Sequence, residues 1–250
     1  MNKLPIYRKG EGPTLLFIHT LGSSADVWDR AVKLLSRSFH CCTLDLFGHG
    51  GNREKSDVIN IEQTAGALAE SLSEVKWKPA AIIGHNLGGL IGIDLVLKTP
   101  LCTDRLILID TPTRQVRTPF LKKMVLITLN KNFDQAVKKQ FSRMTKDEEI
   151  FQSLVETSLG TDRQAYLSYM DSLMQTDYRA VIRTIEVPVD SWITRSLAPN
   201  TMAFEKVLSQ YGYDHLPLKN RHHDPDLGHF MMLEKPAVFA QSLERIVRGG

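Results

Sequence analysis

The stretch Ala80–Leu90, with the sequence AAIIGHNLGGL, decides the fold of this chain. Its first apolar run predicts a buried strand over Ala80–His85, and the apolar residues that follow predict a helix over Leu87–Leu97. Gly84 and Gly88 stand two positions before and after Asn86. Side chains at those two positions would collide with the neighbouring strand and helix in a tight strand-to-helix turn. We therefore predict a strained turn that places Asn86 at the carboxyl end of a sheet, where ligands bind in open α/β folds.

Outside this turn, short apolar runs alternate with amphipathic stretches, a pattern typical of a parallel sheet covered by helices. The further predicted strands are Leu15–His19, Cys41–Phe47, Arg105–Asp110, Val187–Ile193 and a short one near Leu216–Leu218. The further predicted helices are those around Ala25–Arg37, Ile61–Val75, Met202–Tyr211 and Pro236–Val247. We predict a mostly parallel, doubly wound α/β sheet in one domain over residues 1–250.

A helical segment from about 113 to 183 interrupts the alternation and contains no predicted strand. We predict that this segment is a lid inserted into the domain. Its apolar side chains either line an acyl pocket or join the lid to the core. These side chains are Phe120, Met124, Phe141, Met144, Tyr166, Tyr169, Met170 and Met174.

Composition limits the class of protein and its partners. The 250 residues are 42% hydrophobic and 24% charged, which is the balance of a globular protein with a sizeable core. A net charge of +3 without long basic runs argues against a nucleic-acid partner. Three cysteines give no disulfide framework, and neither a signal peptide nor a membrane-length apolar run is present. We predict a cytoplasmic protein with a small-molecule substrate, no membrane contact, no metal and no cofactor, and the oligomeric state stays open.

Four motifs together resemble the α/β-hydrolase family. Gly84–Gly89 matches the G-x-S-x-G nucleophile elbow except at the nucleophile, where Asn86 stands. The other three are Ile18–Gly22 (IHTLG), Asp45–Gly50 (DLFGHG) and Gly228–Pro236 (GHFMMLEKP). The resemblance covers almost the whole chain and implies the α/β-hydrolase fold of a lid-bearing, esterase- or lactonase-like branch. It implies hydrolysis of a small apolar ester, thioester or lactone.

The resemblance also implies roles for site residues. His229 lies in the segment similar to the family's catalytic-histidine loop, which implies a general base, and it follows the elbow in the expected chain order. Leu21 and Leu87 are implied as the oxyanion-hole residues, because their backbone N–H groups would be fixed before charge develops. Thr20 stands where most relatives carry glycine. A His-Thr pair is found in the hydroxynitrile-lyase branch, so Thr20 is expected either to contact substrate or to make a hydrogen bond within its loop.

The acid of a catalytic triad is less clearly placed. Relatives usually carry it after the strand here predicted at Val187–Ile193, but Thr194–Pro199 contains no carboxylate. Asp110 ends the preceding strand, where some branches, including haloalkane dehalogenases, place the acid. Asp110 therefore either holds His229 in the right tautomer and stabilises its charged form or caps the turn at Thr111-Pro112.

Two acidic residues and two histidines near His229 are weaker candidates. Asp224 and Asp226 stand too near His229 in the sequence to be preferred as its partner. His222 and His223 could suggest a metal site, but we favour a surface loop for them.

Asn86 itself puts ordinary hydrolysis in doubt, because a carboxamide is a poor nucleophile that a neighbouring base cannot activate. Three interpretations stay open. Asn86 replaces a serine or aspartate in an engineered or trapped variant of a hydrolase. Alternatively, the protein is a catalytically inactive small-molecule binder. In the third interpretation it is a non-hydrolytic lyase or cyclase that uses His229 as a base.

Overall fold

A computed structural model describes residues 4–52, 59–75 and 77–249, and these residues build one seven-stranded sheet flanked by helices. The strands are β1 (Ile6–Lys9), β2 (Thr14–Ile18), β3 (His40–Leu44), β4 (Ala81–His85), β5 (Leu106–Ile109), β6 (Val189–Thr194) and β7 (Arg221–Asp224). The helices are α1 (Asp29–Leu35), α2 (Ile61–Val75), α3 (Leu87–Lys98), α4 (Pro119–Lys131), α5 (Phe133–Phe141), α6 (Glu148–Leu159), α7 (Arg163–Leu173), α8 (Thr201–Gln210), α9 (Met231–Glu234) and α10 (Pro236–Arg248).

The order of the strands explains where a ligand site can form. It runs β1-β3-β2-β4-β5-β6-β7, with β1 antiparallel to β3 and every other pair parallel. The chain moves from β2 to β3 on one side and then returns to place β4 on the other side of β2. The carboxyl ends of β2 and β4 therefore flank the point where the strand order reverses, which is the usual ligand crevice of such sheets.

The central strands carry apolar residues on both faces because helices cover both sides of the sheet. In β4 and β5, Ala81, Ile82, Ile83 and Leu106–Ile109 are all fully buried. Helices α1 and α10 pack together, as do α2 and α3. The α/β sheet that the sequence predicts is confirmed.

Four helices, α4 to α7, lie between β5 and β6, in the segment for which a lid was predicted. Backbone hydrogen bonds join the two ends of this segment. The N–H of Tyr178 donates to the carbonyl of Thr113 over 2.8 Å, and that of Gln115 donates to the carbonyl of Thr176 over 2.9 Å. The segment therefore leaves the sheet and returns to it at one place. The division into a single domain over 1–250 with a lid at about 113–183 stays a prediction.

The last strand of the sheet, β7, lies at a different place in the sequence from the predicted one. The strand expected near Leu216–Leu218 was wrong, because a short 3-10 helix begins at Leu218 and the last strand is β7. His222 and His223 lie in this strand rather than in a surface loop. An edge strand has a neighbouring strand on one side only, and all four residues of β7 are half-buried, so it does not need the apolar run by which buried strands are recognised.

No helix within the described ranges has both the length and the apolar character needed to cross a bilayer.

Candidate active site

Asn86 occupies the turn between β4 and α3 with φ 50° and ψ −105°. Positive φ is uncommon for a residue with a side chain, and the surrounding packing holds it there. A Cβ at Gly84 would overlap the backbone of Gly89, and one at Gly88 would overlap the carbonyl of Ile18. The prediction that side chains would collide two positions before and two positions after Asn86 is confirmed.

The backbone and the side chain of Asn86 both bond to the neighbouring strand β5 and the residue that follows it. Its N–H donates to the carbonyl oxygen of Ile109 over 2.9 Å. Its side-chain Nδ2 donates to the carbonyl oxygen of Asp110 over 3.1 Å. The carboxamide is therefore anchored on its nitrogen side, and its Oδ1 is left as the hydrogen-bond acceptor.

Asp110 and His229 meet although they are far apart in sequence. His229 Nδ1 lies 2.8 Å from Asp110 Oδ2, and both side chains are buried. Because an ionised carboxylate only accepts hydrogen bonds, Nδ1 carries the proton and the lone pair of the neutral ring is on Nε2. That nitrogen is buried and has no hydrogen-bond partner in the described part of the chain.

Thr194, at the end of β6, completes the surroundings of the Asp110 carboxylate. Its N–H donates to Oδ1 over 2.8 Å, and its hydroxyl donates to Oδ2 over 2.6 Å. Asp110 itself has φ 40°. Three donors therefore surround this carboxylate and fix its orientation, in the way that supports a histidine base.

His85 packs against the ring of His229. The two ring centroids are 4.3 Å apart. Burial, reinforced by the charge that His229 can carry, lowers the pKa of His85 well below its ordinary value. His85 is therefore neutral at physiological pH and does not compete with His229 for a proton.

Two further histidines, His19 and His49, hold the loop that carries Thr20 and Leu21. His19 Nδ1 donates to the carbonyl of Thr20 over 2.8 Å, and the N–H of Gly22 donates to His49 Nε2 over 3.1 Å. Burial lowers the pKa of both rings, that of His49 to about 3. The loop is thus bonded before and after Leu21 by imidazoles that stay neutral.

The two amides predicted for an oxyanion hole have no hydrogen-bond partner in the described part of the chain. The N–H of Ser23 donates to Thr20, and that of Gly89 donates to Asn86. By contrast, the N–H groups of Leu21 and Leu87 donate no hydrogen bond within the described ranges. Rigid donors of this kind, at the start of a helix and in a pinned loop, are suited to stabilising a developing negative charge.

A cavity of about 180 Å³ adjoins the elbow. Thr20, Leu21 and Asn86 line it, whereas neither His229 nor Leu87 does. Its other lining residues come mainly from the helical segment and are Pro112, Gln115, Gln140, Phe141, Met144, Met170 and Leu173. Of the side chains proposed for an acyl pocket, Phe141, Met144 and Met170 are therefore at the cavity, and Phe120 and Met124 are exposed elsewhere.

The weaker candidates near His229 have other partners. Asp224 Oδ2 accepts a hydrogen bond of 2.6 Å from Trp192 Nε1, and Asp226 is exposed. His222 pairs with the buried Asp190 over 2.9 Å, and His223 stacks on Phe204.

The sequence analysis missed three residues of this region, Thr194, His19 and His49. Thr194 stands in the loop that was noted for lacking a carboxylate, and its role depends on the register of β6 beside β5. His19 and His49 lie inside the quoted motifs IHTLG and DLFGHG, which were the signal available for them.

Comparisons with known proteins agree with this architecture. A family model described as alpha/beta hydrolase fold matches residues 13–190. Pimeloyl-[acyl-carrier protein] methyl ester esterase of Methylococcus capsulatus is 26% identical over 204 residues, which cover 76% of this chain and 78% of that protein. Several other curated relatives match over shorter stretches, and the chain spans only 30% to 51% of their length.

Solved structures resemble the whole chain. A thermophilic esterase from Thermogutta terrifontis superposes with a TM-score of 0.83 at 18% identity, covering 98% of this chain and 93% of that one. The enol-lactonase from Burkholderia xenovorans LB400 gives a TM-score of 0.80 at 18% identity, with 98% and 96% covered. The chain belongs to the alpha/beta hydrolase fold family.

Proposed function

We propose that the protein acts on the carbonyl group of a small, largely apolar ester, thioester or lactone, with His229 as general base and without an acyl-enzyme at residue 86. One observation carries this proposal. The Asp110–His229 pair is complete beside an elbow whose residue is a carboxamide anchored to a backbone carbonyl.

In the proposed reaction, the substrate carbonyl oxygen accepts hydrogen bonds from the amides of Leu21 and Leu87. His229 Nε2 takes a proton from water while the water oxygen attacks the carbonyl carbon. The tetrahedral intermediate then expels the alcohol or thiol, which takes the proton back from His229. Asp110 stabilises the imidazolium between these two steps. Oδ1 of Asn86 would accept the second hydrogen of the attacking water and so orient it.

The substrate class rests on the cavity and on the relatives. A cavity of about 180 Å³ with Phe141, Met144 and Met170 in its wall fits a short apolar acyl group. The names of two similar proteins, a methyl ester esterase and an enol-lactonase, support cleavage of the single bond between the acyl carbon and the ester oxygen.

A second candidate is binding without turnover. It is favoured by the position of His229, whose Nε2 is buried and which does not line the cavity that Asn86 lines. In this case the amides and Asn86 would hold a carbonyl ligand, and no base would reach it.

The test compares the native chain with Asn86→Ser and His229→Ala on nitrophenyl esters, thioesters and lactones. The proposal expects steady turnover by the native chain with no initial burst, no covalent adduct by mass spectrometry, and loss of the rate in His229→Ala. Asn86→Ser is the positive control and should form an adduct at residue 86 with a fluorophosphonate. An adduct on Asn86 of the unsubstituted chain, or an unchanged rate in His229→Ala, overturns the proposal. Saturable ligand binding with no turnover in the native chain supports the second candidate.

A further inference from the structure

Helix α4 exposes an unusual number of apolar side chains. Of its residues only Leu129 is buried. Phe120, Met124 and Ile127 recur at helical spacing and so project from one face, with exposed fractions of 77%, 46% and 51%. Leu121 beside them is also exposed. A contiguous apolar stripe of this kind marks an interaction surface, since single exposed apolar residues are ordinary but a row is not.

The segment around this stripe is strongly basic. Residues 114–146 contain nine Lys and Arg but a single acidic residue, Asp134. The whole chain carries only +3, so the remaining residues are net negative. The positive charge is therefore concentrated in one short part of the chain.

The positive charges nearest the stripe are not neutralised by acidic side chains in the described part of the chain. Lys123 lies beside it on the helical wheel, Lys131 follows Ile127 by one turn, and Arg117 precedes the helix. None of the three forms an ion pair within the described ranges. Lys122 is different, because it points to the other side of the helix and pairs with Asp171 over 2.9 Å.

Contrary to the absence of membrane contact expected from the sequence, we propose that the outer face of α4, defined here as Arg117, Phe120, Lys123, Met124, Ile127 and Lys131, docks on the surface of an anionic phospholipid bilayer. An apolar row with a cationic rim is the arrangement that inserts between lipid headgroups while its charges meet anionic phosphates. A second copy of the chain is a poor occupant, because two such faces would bring like charges together.

The proposed docking surface and the wall of the cavity beside Asn86 belong to the same stretch of chain. Gln140, Phe141 and Met144, which line it, belong to α5 and the residues directly after it, within the same basic segment. The surface that meets the lipid and the wall that covers the cavity are therefore parts of one run of chain. The inference does not depend on the proposed function, since the surface would dock whether or not His229 performs catalysis.

The first test is co-sedimentation of the whole protein with vesicles of phosphatidylcholine alone or mixed with phosphatidylglycerol. We expect binding to the mixed vesicles only, weakened by high salt because the charges are exposed. Lys123→Glu with Lys131→Glu should weaken it by more than about tenfold. Phe120→Ser with Ile127→Ser should weaken it by about tenfold. The matched controls are Lys33→Glu with Lys206→Glu, for charge, and Met202→Ser, an equally exposed apolar residue on α8.

The second test locates the contact. Ile127→Trp should shift its tryptophan emission to the blue with anionic vesicles, and Met202→Trp should not. Absence of binding to anionic vesicles, or equal weakening by the control variants, overturns the proposal. Two other outcomes also overturn it. One is that the protein binds an acidic protein through α4 but does not bind the vesicles, and the other is that it dimerises through α4.

Discussion

The side-chain Nδ2 of Asn86 donates a hydrogen bond to the backbone carbonyl of Asp110, 3.1 Å away. The residue at the elbow is thereby tied to the residue whose carboxylate holds His229. An asparagine is accommodated here by the local backbone, because its amide finds an acceptor that a carboxylate could not use.

Substitutions at residue 86 should therefore differ in stability as well as in chemistry. Asn86→Ser gives up this hydrogen bond and should lower the free energy of unfolding by about 0.5–1.5 kcal/mol. Asn86→Asp should cost more, because it sets a carboxylate against a carbonyl oxygen. Urea denaturation of the two variants and the native protein measures both changes. If the Asn86→Asp variant were as stable as the native protein, the bond would contribute nothing.

The Asp110 carboxylate should be essential to whatever rate the protein shows. Asp110→Asn should lower kcat by about a thousandfold or more, because an amide can hold His229 in the wrong tautomer. Thr194→Val, which removes the 2.6 Å donor, should cost about 1–3 kcal/mol of stability and a smaller part of the rate. Steady-state kinetics and urea denaturation measure the two effects.

Asp224→Asn is the matched control for this comparison, because Asp224 bonds to Trp192 and not to His229. It should leave kcat unchanged. If it abolished the rate while Asp110→Asn kept it, the proposed partner of His229 would be wrong.

The buried histidines make stability depend on pH. The pKa of His49 falls from an ordinary 6.5 to about 3 because of burial, so the folded protein keeps this ring neutral where the unfolded chain protonates it. The ring therefore costs no stability above about pH 6.5, and stability is lost as the pH falls from there toward 3. Between pH 7.5 and pH 5 it should account for a loss of about 2 kcal/mol.

Urea denaturation at these two pH values measures the loss. His49→Gln should be less stable at pH 7.5 but should lose about 2 kcal/mol less on acidification than the native chain. His215→Gln, at a half-buried position after α8, is the comparison variant. An identical pH dependence of His49→Gln and the native chain contradicts the prediction.

Two glycines should respond in opposite ways to the same substitution. A Cβ at Gly88 would overlap the carbonyl of Ile18, whereas a Cβ at Gly66, in α2, would meet no atom within 4 Å other than those of its chain neighbours and its own helix backbone. Gly88→Ala should therefore unfold or severely destabilise the protein. Gly66→Ala should stabilise it by about 0.5–1 kcal/mol, because alanine loses less backbone entropy in a helix. Thermal denaturation followed by circular dichroism distinguishes the two, and a tolerant Gly88 would refute the account of the elbow.

The central sheet and the elbow could be predicted from the sequence because burial on both faces leaves continuous apolar runs. Ala80–His85 and Arg105–Asp110 were predicted as strands, and β4 and β5 lie inside them. The edges could not be predicted in the same way. Neither β1 nor β7 carries an apolar run. The apolar residues at Leu216–Leu218 instead led us to predict the last strand too early in the chain.

In the candidate site, the resemblance to family branches that place the acid after this strand suggested Asp110 as the partner of His229, with a turn cap as the alternative, and the structure places the two side chains 2.8 Å apart. Their roles in catalysis stay predictions. The contribution of Thr194 could not be foreseen, because it follows from the alignment of β6 with β5, where Ile109 pairs with Trp192. A register is set by the packing of the whole sheet, and a local motif does not encode it.

The anchoring of the Asp110 carboxylate by Thr194 has an evolutionary side. Asp110, the partner of His229, directly follows a central strand, and β6 contributes only its last residue, Thr194, to the carboxylate. The turn from Arg195 to Asn200 therefore does not have to supply and position a carboxylate for His229. The exposed side chains of Arg195 and Ser196 in this turn should therefore accept substitution without loss of the Asp110–His229 pair, whereas a hydrolase with its acid in that turn would lose the pair.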